Sequence, residues 1–173
     1  YILTNKIIEG HKYIHHLVYL YLLHNFKTDF FVRSNESKLY KYLQEAKNGQ
    51  VKSELFIKSN ARASGKKLNI LNEVRVKSLH NNACKFANIS VELVTDNYKR
   101  HWALEKLMLE NDTSTIAVEV PVYLQISKST IPWIRKIKSV NDHITGHVDL
   151  LQYRNGKVYI VDYKPNAEKE KPL

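Results

Sequence analysis

The chain has 173 residues, enough for one domain with a proper hydrophobic core, and its 43% hydrophobic and 25% charged residues are ordinary for a globular protein. Its formal net charge of +10 at pH 7 favours a polyanionic partner, although many basic proteins have none. The single cysteine, Cys84, excludes an intramolecular disulfide and a cysteine-rich zinc or iron–sulfur cluster built from this chain alone.

Several other classes of protein are also disfavoured by the sequence. No G-x-x-x-x-G-K-[ST] phosphate loop and no H-E-x-x-H zinc motif occurs in the chain. The longest uncharged run near the start, residues 13–26, is too short for a membrane-spanning helix, and no signal peptide is evident. We therefore expect a cytoplasmic protein without a membrane partner.

Apolar residues are dense from Tyr1 to Asn25 and predict an amphipathic or largely buried helix. In such a helix His11 and His15 would lie one turn apart, which is a spacing that a metal ion could use. No nearby acidic or cysteine residue completes that site. We therefore favour a solvated or hydrogen-bonded helix face for the two histidines.

Residues 27–67 are polar, basic and weakly patterned. A short helix is predicted from about Glu36 to Lys47, and Asn48-Gly49 would end it. Leu55 to Ile57 fits either a short strand or a helical turn.

Helices are predicted from Leu68 to about Glu110, and Asp96 is a candidate N-cap for the last of them, Tyr98 to Leu109. His101 and Glu105 lie four residues apart on one face of that helix. The two side chains could pair with each other or with a neighbouring lysine, or one or both could bind a metal ion.

A strand is predicted from Thr115 to Ser127, because its residues alternate between apolar and polar. Glu119 in this strand is either a candidate metal ligand or part of an ordinary polar face. Pro121 indicates an edge or bulged position, because proline cannot donate to a sheet hydrogen-bond ladder.

Two basic segments are candidates for contact with a nucleic-acid backbone, where Lys and Arg release condensed counterions. Both could equally be ordinary solvated loops. The candidate residues are Arg62, Lys66 and Lys67 in the first segment and Arg135, Lys136 and Lys138 in the second.

The stretch from Ile144 to Pro165 predicts a β-hairpin. Asn155-Gly156 suits a two-residue type I′ turn, in which both central residues need a positive φ, and apolar residues flank it on both sides. If these two residues form the loop, Asp149 lies opposite Asp162, and His147 lies opposite Lys164. Period-two alternation then places these four side chains on one face of the sheet and Tyr163 on the other.

Two aspartates that face each other across apolar strands repel, unless one of them holds its proton. A divalent cation removes the difficulty, because carboxylate oxygens bind hard ions such as Mg²⁺ or Mn²⁺. Lys164 could then orient a nucleophilic water or stabilise charge on a phosphoryl group. The alternative is a surface hairpin with solvated acids and a Lys–Asp pair, because strand register slips easily.

These residues resemble the PD-(D/E)XK nuclease superfamily, and its RecB-like branch most closely. Gly146-x-x-Asp149 followed by Asp162-Tyr163-Lys164 is similar to the G-x-x-D and D-Y-K strands of that branch. The segment H-W-A-L-E, which contains His101 and Glu105, resembles the H-x-x-L-E helix of some members. Glu119 stands where the family often has a glutamate before the hairpin.

The resemblance implies an α/β fold, namely a restriction-endonuclease-like core with a mixed central β-sheet flanked by helices. We assign that core to residues 85–173 and a mostly helical N-terminal region to residues 1–84. Residues 166–173 show no apolar periodicity, whereas the family has a helix after D-Y-K, so we expect the core to be C-terminally incomplete.

The resemblance also implies hydrolysis of DNA phosphodiester bonds with Mg²⁺ or Mn²⁺, in repair, recombination or defence. The DNA could be single- or double-stranded, and a helicase or recombination partner is conceivable. Lys164 and Glu105 would act in catalysis together with the two aspartates. The metal ligands implied are Asp149, Asp162, His101, Glu105 and Glu119.

A nuclease fold does not guarantee nuclease activity. The alternative is a catalytically inactive nucleic-acid-binding module, or a structural subunit, built on the same scaffold. The sequence leaves open DNA against RNA, endo- against exonuclease action, and the oligomeric state. It also leaves open whether His101 or Glu105 is the helix-borne ligand.

Overall fold

A computed structural model describes residues 7–15, 17–52, 54–57, 82–94, 96–132, 134–137 and 142–164. The strands are β1 (Ile8–His15), β2 (Leu17–His24), β3 (Thr115–Gln125), β4 (His143–Arg154) and β5 (Lys157–Val161). The helices are α1 (Asn25–Phe31), α2 (Ser37–Lys47), α3 (Glu54–Ile57), α4 (Asn82–Leu93) and α5 (Asn97–Asn111), with a 3₁₀ helix at Ile134–Lys136.

The five strands form one sheet in the order β1-β2-β3-β4-β5, and each pairs antiparallel with its neighbour. The α/β class is therefore confirmed. The mixed sheet is not confirmed, because every strand pair in the described ranges is antiparallel. The division of the chain at residues 84 and 85 stays a prediction.

The helix predicted from Tyr1 to Asn25 is wrong within the described residues, because Ile8–His15 and Leu17–His24 form the antiparallel pair β1–β2. Tyr13 and Tyr21 alternate inward, and their hydroxyls donate to the backbone oxygens of Ala46 and Leu43 at 2.6 and 3.0 Å. These contacts with α2 lie outside the segment itself, so its own apolar density could not reveal them. Gly10 lets the two strands approach closely, because a Cβ there would fall 1.9 Å from the Tyr21 oxygen.

His11 and His15 both lie in β1, so the prediction that they sit one helical turn apart is also wrong. Residues four apart in a strand are separated by roughly 13 Å along the backbone, so the one-turn spacing of a helix does not apply to this pair. The His11 ring instead lies edge-on against Tyr13, with centroids 5.0 Å apart.

Most of the other predicted elements are confirmed within the described residues, whereas residues 68–81 of the predicted helical stretch lie outside them. Helix α2 closely matches the predicted span and ends before Gly49, whose φ of +70° suits a helix terminus. Leu55 lies in α3, so the helical-turn alternative is correct. Asp96 caps α5 by accepting a hydrogen bond from the Lys99 amide at 3.4 Å.

The sheet separates two hydrophobic clusters. The α2-side core packs α2 and α3 against one face and includes Tyr13, Tyr21, Leu43, Phe56, Val148, Leu151 and Tyr153. The α5-side core packs α4 and α5 against the other face and consists of Ala83, Leu104, Met108, Leu109, Val118 and Leu150, with Val161 and Tyr163 at its margin.

The β4–β5 hairpin forms as predicted. Asn155 and Gly156 have φ of +48° and +74°, as a type I′ turn requires. Arg154 pairs with Lys157, and the ladder continues to Leu150 and Val161. Within the described ranges every helix is too short or too polar to cross a lipid bilayer.

Candidate metal centre

Helix α5 carries two polar side chains toward the sheet. Leu104 and Met108 bury one face of the helix in the α5-side core. Glu105, next to Leu104, is also buried, with 1% of its surface exposed. His101 lies one turn earlier and is partly exposed. The Glu105 carboxyl therefore lies in the protein interior beside the packed face of the helix.

Strands β3 and β4 contribute two further acids where their alternation is interrupted. The pairs Val118–Leu150 and Val120–Val148 bracket Glu119 and Asp149, which therefore occupy facing positions. Glu119 has a φ of +49°, an unusual backbone conformation for a residue other than glycine.

The interruption turns neighbouring residues of β4 toward the same helix. Leu150 packs in the α5-side core, whereas Val148 and Leu151 pack in the α2-side core. Asp149 contacts His101 of α5, so Asp149 and Leu150 both face α5. This departure from strict alternation brings the Asp149 carboxylate to the helix.

The side chains meet around the His101 ring. Its Nε2 lies 3.0 Å from Asp149 Oδ2 and 3.4 Å from Glu105 Oε1, and its Nδ1 lies 4.0 Å from Glu119 Oε1. One ligand atom from each of His101, Glu105 and Asp149 lies within 4.8 Å of the others. We refer to these three residues as the His–Glu–Asp cluster, which could hold a metal ion.

The Glu105 carboxyl is in an unfavourable environment without a cation. Burial, and then the charges of Glu119 and Asp149, raise the pKa of Glu105 well above its ordinary value. Glu105 Oε1 is buried and has no hydrogen-bond partner among the residues that the structure describes. A buried carboxylate oxygen of this kind is a suitable ligand for a divalent ion.

In contrast to Glu105, Asp149 is stabilised in its ionised form by its contact with His101. Burial opposes ionisation of Asp149, but hydrogen bonds with the His101 ring and from the Tyr163 amide hold the pKa of Asp149 below its ordinary value. The same His101–Asp149 hydrogen bond raises the pKa of His101, although burial opposes it. A metal ion could replace the imidazole proton between the two side chains, since it would bind both deprotonated groups.

Asp162 and Lys164 lie just beyond the end of β5. The observed register, extended by one pair, sets Asp162 opposite Asp149. Partial burial of its carboxyl raises the pKa of Asp162, and the charge of Asp149 adds to the effect while Lys164 opposes it. Lys164 Nζ lies 2.8 Å from Asp162 Oδ2, and both side chains are substantially exposed. Asp162 thus interacts with Asp149 but does not belong to the His–Glu–Asp cluster.

The prediction that His147 shares a face with Asp149 is wrong. The His147 ring stacks on Tyr19 with centroids 4.0 Å apart, and it lies 5.8 Å from the ring of Phe56. Phe56 belongs to the α2-side core, so His147 points away from α5. The cause is the interrupted alternation of β4 between His147 and Leu150.

Tyr163 is a contact that the sequence interpretation missed. It was expected on the face opposite the acids, yet its ring stacks on His101 with centroids 5.8 Å apart and an interplanar angle of 16°. Its amide donates to Asp149 Oδ2 at 2.8 Å. The only sequence signal was its position between Asp162 and Lys164, where β5 has ended and alternation no longer applies.

The basic candidates are only partly covered by the structure. Arg135 and Lys136 are exposed in the 3₁₀ helix. Arg62, Lys66, Lys67 and Lys138 lie outside the described residues.

Comparisons with family models, curated proteins and solved structures find no match to this chain.

Proposed function

We propose that this chain is a metal-dependent nuclease that hydrolyses DNA phosphodiester bonds on a restriction-endonuclease-like core. The observation that carries the proposal is the meeting of His101 and Glu105 of α5 with Asp149 of the hairpin motif. The motif and the helix are separated in sequence, and each resembled part of a nuclease site independently. Their convergence on one buried point supports a shared chemical role.

The residues of the site fit a divalent cation. His101, Glu105 and Asp149 would hold it, while Glu119 and Asp162 would contribute nearby negative charge. Carboxylate oxygens suit Mg²⁺ and Mn²⁺, and an imidazole is more usual with Mn²⁺ than with Mg²⁺. When bound, the ion would supply Lewis-acid polarisation of a phosphoryl oxygen and a water of lowered pKa.

The remaining chemistry belongs to the chain itself. Lys164 is held beside the site by its ion pair with Asp162, and its exposed ammonium could reach a phosphate. There it would stabilise negative charge that develops on the phosphoryl oxygens. Arg135, Lys136 and the net charge of +10 would attract and orient the DNA backbone.

The biological setting follows only from this proposed chemistry. A DNA nuclease of this type would act inside the cell in repair, recombination or defence, and a helicase or recombination protein is the partner class that we propose.

The test is a cleavage assay on linear duplex, circular duplex and single-stranded DNA with Mn²⁺, Mg²⁺ or EDTA. We expect products with a divalent ion, none with EDTA, and none from Asp149→Asn. Lys157→Ala, which removes an exposed lysine of β5, is the matched control and should cleave normally. Equal product formation by Asp149→Asn would refute the proposed site.

A second candidate is a nucleic-acid-binding module without catalysis. One observation in its favour is that the proposed catalytic Lys164 is already paired with Asp162. The other is that Asp162 lies outside the His–Glu–Asp cluster. Both candidates predict DNA binding that weakens with salt. Binding without any divalent-ion-dependent product would favour the second.

A further inference from the structure

Tyr163 makes two separate contacts with the proposed metal ligands. Its ring lies nearly parallel to the His101 ring, and its backbone amide donates to the Asp149 carboxylate. One residue therefore contacts one ligand from the helix and one from the sheet. The side chain acts on His101 and the main chain acts on Asp149, so the two contacts can be separated by mutation.

The Tyr163 side chain is itself fixed by packing. It is half-buried at the margin of the α5-side core, beside residues of α5 and the end of β5. Asp162 and Lys164 on either side are exposed. The ring is therefore held against α5 while its neighbours extend into solvent, and it can restrict the orientation of the His101 imidazole.

The His101 orientation matters because the carboxyl groups of Glu105, Glu119 and Asp149 all lie near the same ring. Nε2 is the atom that faces both Asp149 and Glu105, and a rotation of the ring would move it away from them. Hydrogen-bonding partners that orient a metal-ligating histidine commonly affect metal affinity by about tenfold or more, and a stacked ring would restrict the same orientation.

We propose that Tyr163 is a positioning residue of the metal centre and that an aromatic ring at this position sets its affinity for a divalent transition ion. The inference rests on the proposed metal centre but not on nuclease activity. The hydrogen bond from the residue 163 backbone amide to Asp149 can form in any non-proline variant. Side-chain variants therefore test only the contact of the ring with His101.

The experiment measures binding of Mn²⁺ by calorimetry and of Co²⁺ by its visible absorption, in the absence of DNA. We expect Tyr163→Phe to bind like the wild type, because it keeps the ring. We expect Tyr163→Leu to bind about tenfold more weakly, with an altered Co²⁺ spectrum. Tyr159→Leu, which removes an exposed tyrosine of β5, is the matched control and should change neither.

A His101→Ala background separates positioning from a purely structural role for Tyr163. If the ring acts through His101, Tyr163→Leu should cause almost no further loss of metal affinity in that background. A purely structural role predicts the same further loss as in the wild-type background. If Tyr163→Leu does not fold, Tyr163→Met provides a flexible apolar replacement for the same measurements.

The failures of the two proposals are distinguishable. A wild-type protein that binds neither ion would overturn the metal centre and this inference together. A wild type that binds metal, with equal binding by folded Tyr163→Leu or Tyr163→Met, would overturn the positioning role alone. Metal binding that depends on Tyr163, but without DNA cleavage, would support the inference while counting against the nuclease.

Discussion

His101 Nε2 lies 3.0 Å from Asp149 Oδ2, a contact that joins α5 to β4 across 48 positions of sequence. Each partner alone has an ordinary explanation, a helix-surface histidine or a strand aspartate. Together with the buried Glu105 carboxyl they form a site in which burial, and then the charges of Glu119 and Asp149, raise the pKa of Glu105.

Glu105→Gln should stabilise the metal-free protein by about 1 kcal/mol or more, because a neutral amide removes the cost of keeping a buried carboxyl protonated. The same substitution should lower affinity for Mn²⁺ by removing an anionic oxygen. Urea unfolding with EDTA at pH 8 measures the first effect, and calorimetry measures the second. A Gln variant less stable than the wild type would mean that the carboxyl is held by favourable contacts instead.

Lys164→Ala should lower the rate of DNA cleavage about 100-fold while leaving Mn²⁺ affinity near the wild-type value. The reason is that Lys164 bonds to Asp162 and is not among the cluster residues. Single-turnover cleavage and calorimetry on the same preparation separate the two quantities. Lys157→Ala again serves as the exposed-lysine control. A parallel loss of metal affinity would show that Lys164 acts on the ligands and not on the substrate.

The hairpin and α5 could be predicted from the sequence because their signals are local. Asn155-Gly156 specifies its own turn type, and Asp96 caps the helix that begins next to it. Residues 8–24 lacked such a signal, because an apolar segment fits both helix and strand. Its conformation depends on pairing with β3, as in Leu22–Val118, and on packing against α2.

The face of His147 and the position of Tyr163 could not be predicted from local sequence patterns, because both depend on how the strands depart from regular alternation. The face of His147 was inferred from strict alternation, but the positive φ of Glu119 accompanies a departure from it. That conformation accompanies the approach of the Glu119 carboxyl to His101 of α5, which no spacing rule describes. Tyr163 was missed because alternation was extended past Val161, where β5 ends.

Lys27→Met should destabilise the protein by about 2 to 4 kcal/mol. The Lys27 ammonium is buried and donates to the backbone oxygens of Leu109 and Asp112 at 2.6 and 2.7 Å, and to that of Thr115 at 3.3 Å. Methionine keeps the apolar stem but leaves these buried oxygens without their donor. Urea unfolding measures the change, and Lys38→Met at an exposed position of α2 is the control. A loss below about 0.5 kcal/mol would show that water replaces the ammonium.

The stability of the wild type should contain a pH-dependent contribution from His24. Burial, and then the charge of Lys27, lower the pKa of His24 from its ordinary value of 6.5. The ring is the N-cap of α1, where Nδ1 accepts from the Lys27 amide at 3.4 Å and must be unprotonated to do so. Because the folded state then binds fewer protons than the unfolded state, the free energy of unfolding should fall as pH decreases below about 6.5.

His24→Asn tests this assignment, because asparagine can cap a helix and does not titrate in this range. We expect urea unfolding between pH 7.5 and 5 to show a smaller loss of stability in the variant than in the wild type. The difference between the two curves cancels the titration of the acidic residues, which both proteins share. Parallel curves over the whole range would mean that His24 has the same pKa folded and unfolded, and that the cap tolerates a protonated ring.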